Sequence, residues 1–463
     1  MTIAVDKPDV PYFDIGDPRF SVSAKEVLTA REHSWFARTP FGLAVLRYED
    51  VSTLLKDRRL RQGSFAWPAQ NGITDGPLAE WWSEIMLSKE GDDHRRLRKL
   101  GNPAFSRTLI ERMVPEFQAL AAELLDDFAA DGRCEFVSEF AEPYAARVLC
   151  KLVGMDEARW HDLSKWSTDL GLSFGVTIRD DLERIESALA NLYAVSDELI
   201  AERRERPGDD VVSSLVQAHD GEEGRLSDME LRAMVSLIVF GGMDTTKNQL
   251  GLAMQLFIEH SDQCALLAER PELGANAVEE LIRWNPTVMW ATRRTTEPVE
   301  LHGVLIPADT TLHLLSYPAN TDPLAIGAGQ RFDITAERPP HFGFGGGAHH
   351  CIGHWLARID MREALPLIAR RMRNPRCAGG TAGERLDRPR APADRIRPGG
   401  AVRVTVDERT CQHHGQCMIE CPEVFTLVSP DELRYVAEPD ESLRGDVEAA
   451  ADACPTQSIT VEG

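Results

Sequence analysis

His341-Phe-Gly-Phe-Gly-Gly-Gly-Ala-His-His-Cys351-Ile-Gly-His-Trp-Leu-Ala-Arg358 is the stretch on which the reading of this 463-residue chain turns. Three adjacent glycines, Gly345 to Gly347, precede Cys351 and leave backbone N–H groups open where side chains would block them. The residues after Gly353 have helical character, which sets Cys351 near a helix N-terminus. The positive end of such a helix favours a thiolate and lowers the cysteine pKa. A loop that gives a sulfur anion both room and N–H donors suits a metal ligand. The plainer alternative is a glycine-rich turn around a buried thiol. A dinucleotide fingerprint also matches at Gly343-x-Gly345-x-x-Ala348, but no strand precedes it and it is set aside.

Phe344-Gly-x-Gly347-x-His349-x-Cys351-x-Gly353 resembles the haem-binding signature of the cytochromes P450 at every defined position. The resemblance implies the P450 fold, mainly α with small β-sheets, built around haem b. It makes Cys351 the axial ligand, packs Phe344 beside the sulfur and turns His349 towards a propionate. A thiolate ligand pushes electron density into O–O cleavage. Upstream, Glu280-Leu-Ile-Arg283 places two charges three apart on one helix face. In the family's order it resembles the Glu-x-x-Arg pair that braces the core. Asp93-His94-Arg95-Arg96-Leu97-Arg98 sets His94 and Arg98 four apart, as in the family's pair for the propionates, and Arg293 matches a third partner, with Arg294 as its neighbour.

Ser227-Asp-Met-Glu230 is a capping-box pattern, so a long helix should begin near Asp228. Gly241 and Gly242 lie deep inside it, each costing about 1 kcal/mol relative to alanine. Such a pair points to a distortion or a close backbone approach. Gly-Gly-Met-Asp244-Thr245-Thr246 resembles the family's oxygen-activation element, and by that resemblance Asp244 and Thr245 relay protons. Cleaving O–O heterolytically needs two protons in a pocket that otherwise excludes water, and a hydroxyl beside a carboxylate can pass them singly.

A second chemistry follows. Cys411-Gln-His-His414-Gly-Gln-Cys417-Met-Ile-Glu-Cys421-Pro follows the ferredoxin run C-x₂-C-x₂-C-x₃-C-P with His414 at the second cysteine, and Cys454-Pro455 supplies the remote one. Cys411, Cys417 and Cys454 form a three-thiolate set, which points to [3Fe–4S]; a [4Fe–4S] cluster with His414 as fourth ligand is the competitor. Cys421 is then a spare buried thiol. The unit resembles small actinobacterial-type ferredoxins, an α+β ferredoxin-like domain.

The organisation agrees. Residues 1–377 read as the haem-thiolate domain, with helical patterns at Leu109 to Ala130, Asp181 to Arg206, Ser227 to Ser261 and Leu273 to Trp284. Residues 378–400, rich in Pro, Gly and Arg, read as a linker or a remodelled end of that domain, and 401–463 as the ferredoxin domain. Cys134, Cys150, Cys264 and Cys377 are expected as isolated buried thiols. A net charge of -23 argues against nucleic acid and anionic membranes. No basic start with an apolar core is visible, and the chain is expected to be cytoplasmic. The implied reaction takes dioxygen, two electrons and two protons and oxidises an apolar organic substrate. Its electrons come from an external NAD(P)H-dependent FAD ferredoxin reductase, since no flavin or nicotinamide domain is apparent. Trp67, Trp81, Trp82, Met86, Phe240 and Val288 to Trp290 are candidates for the pocket or for core. A peroxide-using haem-thiolate enzyme and a non-catalytic haem sensor are the rival functions.

Residues 402–463 carry thirteen acids and four arginines, a net of -9, whereas residues 370–397 carry nine arginines and three acids, a net of +6. This polarity predicts that the acidic unit docks near the basic segment and the thiolate face of the haem. Raising salt should then slow cluster-to-haem electron transfer in stopped-flow measurements, because screening acts over about 8 Å at physiological ionic strength. A rate that stays flat across the salt series overturns that docking mode.

Overall fold

The computed structural model describes residues 3–4, 10–17, 19–129, 131–175, 177–220, 226–327 and 331–377, then 403–406, 411, 417, 421, 423–429, 432–440, 443–452 and 458–462. The chain divides into two compact units, Met1–Pro389 and Arg390–Gly463. The expected linker, 378–400, lies outside the described residues, as do His414 and Cys454.

The large unit is built around one helix. Asp228–Glu259 begins with the expected capping box: the Ser227 hydroxyl accepts from Glu230 N–H while the Glu230 carboxylate accepts from Ser227 N–H. The helix runs unbroken through Gly241 and Gly242. A Cβ at Gly242 would lie 3.0 Å from Leu149 Cδ1, so this glycine serves close approach to the helix Glu142–Val153. At Gly241 a Cβ would meet nothing within 4 Å. Of the two expectations, close packing holds at one glycine and the other opens onto space.

Most of the other helices stand where the periodicity puts them: Leu182–Glu205, Gly274–Trp284 and the post-cysteine helix His354–Arg371. The pattern at Leu109 to Ala130 is two helices, Arg107–Arg112 and Val114–Ala129, because Pro115 starts a new helix better than it continues one. Glu280 and Arg283 are each 2% exposed and joined at 2.6 Å. Arg283 also donates to the Asn320 carbonyl at 2.8 Å, and Glu280 accepts from Asp333 N–H at 3.1 Å. Breaking such a buried pair costs roughly 3–5 kcal/mol, so it fixes three segments at once.

A five-stranded sheet flanks the helices in the order Phe36–Thr39, Gly42–Val45, Thr311–Leu315, Trp290–Thr295, Leu60–Gln62. Only the second and third strands pair parallel. Alternation sends Leu43, Val45, Leu312 and Leu314 into one apolar cluster and Ala44, Leu46 and Leu315 into another. Cys150 and Cys264 are buried as expected, but Cys134 is half-buried and Cys377 is exposed at the end of the described segment. Among the described residues, no helix is long and apolar enough to cross a membrane.

The small unit pairs Arg403–Val406 with Ile459–Glu462 and Phe425–Ser429 with Glu432–Tyr435, both antiparallel, beside the helix Arg444–Asp452. Its core holds Val404, Cys417, Cys421, Val424, Phe425, Val447, Ala450 and Ile459.

Candidate active site

The cysteine loop is fixed by its own backbone. Gly345 N–H donates to Phe342 O at 2.8 Å, and Cys351 N–H donates to Phe344 O at 3.0 Å. Gly347 has φ +67°, and a Cβ there would sit 2.1 Å from the Leu55 carbonyl oxygen, so only glycine lets the loop lie this close to the helix Tyr48–Lys56. Protein surrounds Cys351 on nearly every side, yet the residue itself is exposed. That combination marks a residue lining an internal slot.

The expected drop in the Cys351 pKa is corrected by its surroundings. Burial pushes the thiol up, and the Gly353 N–H, Arg98 and Arg358 pull it down without winning. The helix starts at His354, with Gly353 as its N-cap residue. The guanidinium of Arg358 instead lies 4.3 Å over the ring of Phe344, which forms a wall of the same loop.

Cations gather beside this loop from three elements. His94 and Arg98 come from the helix Gly91–Gly101, with Arg98 donating to the His350 carbonyl at 2.9 Å. Arg293 comes from the sheet strand, 4% exposed, and donates to the Thr292 and Gly346 carbonyls at 3.0 Å. His349 comes from the loop itself, its ring 4.1 Å from that of His94. Glu90, absent from the sequence reading, accepts from His349 Nε2 at 3.1 Å and from Gln62 N–H. Burial raises Glu90, but His349 and the Gln62 N–H hold it below the usual range. Burial, then His349 and Arg98, drive His94 down to about 4. Burial lowers Arg293 to about 10. The Arg98 and Arg293 guanidiniums thus lie beside the loop with Glu90 as the carboxylate near Arg293 among the described residues, an arrangement that an anionic ligand with two carboxylates would complete. All of the expected propionate partners are brought together.

The oxygen helix offers a second open surface. Thr245 is exposed although Met243, Thr246 and Lys247 around it are buried. Its hydroxyl donates to the Gly241 carbonyl at 2.7 Å. Asp244 does not bond to it in this arrangement: Lys247 Nζ holds one carboxylate oxygen at 2.8 Å and Asn248 donates to the other at 3.1 Å. Lys247 in turn reaches Thr168 Oγ1 at 3.0 Å, on the helix Trp160–Gly171. The sequence carried this signal, because a lysine three residues on shares the helix face of Asp244. Trp81 and Trp82 are core, 0% and 2% exposed, their indole N–H groups donating to Ser236 Oγ and Ser64 O. Phe174 was not anticipated; it lies in a short turn without periodicity and stacks on Phe240.

A thiol in an internal slot, a cationic cluster beside it and an open helix surface fit a haem with its two propionates. The family model described as Cytochrome P450 matches residues 267–375. Luteothin monooxygenase of Streptomyces thioluteus is 38% identical over 376 residues, covering 80% of this chain and 91% of that protein. This chain belongs to the cytochrome P450 family. The 6-deoxyerythronolide B hydroxylase of Saccharopolyspora erythraea is 31% identical over 332 residues, 69% of this chain and 80% of that one. Among solved structures, that of CalO2 superposes with a TM-score of 0.70 at 31% identity, covering 76% of this chain and 90% of its own. The P450 is fused to a second domain, since the model described as 4Fe-4S single cluster domain of Ferredoxin I matches residues 406–461. The chain is therefore a P450 monooxygenase, an oxidoreductase that uses haem and dioxygen, with an iron–sulfur ferredoxin domain at its C-terminus.

Removing one propionate cation should loosen the haem. Charge-assisted hydrogen bonds contribute about 1.5–3 kcal/mol. Arg98→Ala is therefore expected to speed haem loss to excess apomyoglobin by roughly tenfold to a hundredfold, while Lys99→Ala, exposed on the same helix, leaves it unchanged.

Proposed function

We propose that this P450 hydroxylates or dealkylates a small to medium apolar organic molecule, with electrons passing singly through its own iron–sulfur domain from an external NAD(P)H-dependent FAD ferredoxin reductase. The observation that carries the reading is the pairing of Cys351, in its internal slot, with the cation set His94, Arg98, Arg293 and His349. Haem held there supplies the binding and reductive activation of dioxygen. The chain's residues do the rest. Cys351 would ligate the iron, Phe344 would shield the sulfur, Arg98 and Arg293 would neutralise the propionates, and His94 and His349 would hydrogen-bond to them. Thr245 presents a hydroxyl at the open surface of the central helix, and Asp244, one residue before it, would relay protons with it once its hold on Lys247 is relaxed. The relatives' names, a luteothin monooxygenase, a 6-deoxyerythronolide B hydroxylase and a mycinamicin IV hydroxylase/epoxidase, support an apolar product of secondary metabolism as substrate class.

Turnover tests this. With a surrogate reductase, the parent should consume NAD(P)H in a substrate-dependent way and form an oxygenated product. Cys351→Ser should lose both that turnover and the thiolate-type carbon monoxide spectrum. Thr245→Ala should keep the spectrum and lose more of its electrons as hydrogen peroxide. A parent that consumes no NAD(P)H with any substrate is a sensor or carrier, and the proposal fails.

For the cluster we propose [3Fe–4S] on Cys411, Cys417 and Cys454. Cys417 is buried and Cys411 half-buried, whereas Cys421 is 0% exposed in the apolar core with burial pushing its thiol up, which suits a spare cysteine. Beside the broad lines of the ferric haem, the oxidised protein should then give a narrow spin-half cluster signal near the free-electron position in paramagnetic resonance without added reductant. His414→Cys, restoring the fourth thiolate, should abolish that narrow signal by converting the cluster to [4Fe–4S]; a parent that lacks the narrow signal as isolated and shows a cluster signal only when reduced means [4Fe–4S] from the outset.

A further inference from the structure

The aromatic side chains around the central helix speak to the shape of the substrate, an inference that rests on the haem-pocket reading above. Phe240 precedes Gly241 on that helix. Phe174 ends the turn Leu172–Phe174 that follows the helix Trp160–Gly171. Their rings are parallel, with centroids 5.4 Å apart and an interplanar angle of 6°. Trp82 meets Phe174 from another side, with centroids 4.8 Å apart at 42°. A ring held between a core tryptophan and the central helix would ordinarily be covered, as Trp82 is. Phe174 is instead 41% exposed.

The surface beside it is open too. The space over Gly241 is empty and Thr245, one turn along, is exposed. The polar groups of this wall already have protein partners. Asp244 is held by Lys247 and Asn248, and the Thr245 hydroxyl by the Gly241 carbonyl. The Trp82 indole N–H is held by Ser64 O. What remains for a ligand is the exposed part of Phe174. Trp67 donates its indole N–H to Ser173 O at 3.1 Å and meets Phe41 edge-on at 6.4 Å, so the residue before Phe174 is anchored by a further aromatic side chain.

We propose that Phe174, backed by Phe240, is a stacking platform that selects substrates carrying a planar aromatic ring over saturated molecules of equal size. Aromatic rings prefer offset-stacked or edge-on partners because their quadrupoles align, a gain beyond area burial of two- to tenfold in affinity per ring pair, roughly. A saturated ring covers the same area without that gain. Phe174 is thus a specificity residue that touches substrate and performs no bond chemistry.

Naphthalene and decalin, which share a carbon count, test this with the full haem-loaded chain. Equilibrium dialysis gives each affinity, and the spin-state change of the haem reports that the probe sits over the iron. A merely apolar pocket favours the greasier decalin. The platform predicts that the parent favours naphthalene, that Phe174→Leu lowers the naphthalene-to-decalin affinity ratio by roughly two- to tenfold, and that Phe174→Tyr keeps it. Phe240→Leu, which removes the backing ring, should lower the ratio in the same direction and serves if the first variant folds poorly. A parent preference for decalin, or a ratio unmoved in both leucine variants, overturns the platform. The carbon monoxide spectrum separates the two levels: a parent with the thiolate spectrum and an unmoved ratio loses only the platform, while a parent without that spectrum loses the haem reading beneath it.

Discussion

A sulfur anion must be kept inside the protein, and much of the large unit is arranged around that demand. Moving one charge into a low-dielectric interior costs several kcal/mol unless it is paired. Here burial outweighs the Gly353 N–H, Arg98 and Arg358. What the fold contributes is position. Glycine at 347 lets the loop lie against Leu55, and the Cys351 N–H to Phe344 carbonyl bond fixes the direction of the side chain.

The same incompleteness recurs at the cation cluster. Arg98 and Arg293 have Glu90 as their neighbouring carboxylate among the described residues, and burial lowers the affinity of Arg293 for its proton and leaves His94 a neutral neighbour. Buried cations without counter-ions destabilise a fold, so a ligand that supplies two carboxylates stabilises it by its own binding free energy. Cofactor and protein are in this sense mutually required. The large unit invests its rigidity elsewhere, in the Glu280–Arg283 pair and the segments anchored to it.

Much of this was legible in the sequence because the signals are local. The capping box at Ser227 is a spacing of three residues, and the cysteine loop is a run of ten. Long-range partners were not legible. Glu90 enters the site because Gln62 and His349, far apart in sequence, converge on it. Phe174 sits in an aperiodic turn, and its meaning comes only from the ring of Phe240 beneath it. The sequence also did not show the burial that raises the Cys351 thiol, since spacing along the chain says nothing about how deeply a group is desolvated. Trp81 and Trp82, which the sequence left as pocket or core, are core: each has its N–H satisfied and its rings enclosed.

The small unit faces the cofactor constraint in sharper form. A domain of its size buries too little apolar surface to be secure alone, and metal ligation is a common remedy. Its described core is eight residues, two of them cysteines. Cys417 lies in that core and in the ligand run, so cluster and packing share a side chain. Cys421 N–H donates to the Cys417 carbonyl at 2.9 Å, and Val424 N–H and Phe425 N–H donate to the Cys421 carbonyl. The chain between the ligand run and the first hairpin is thereby wound directly onto the core. Drawing Cys421 out to a cluster would unwind that turn and leave a gap beside Phe425, whereas a cluster on three thiolates leaves it in place. The burial of this one thiol therefore bears on which cysteines can reach a cluster.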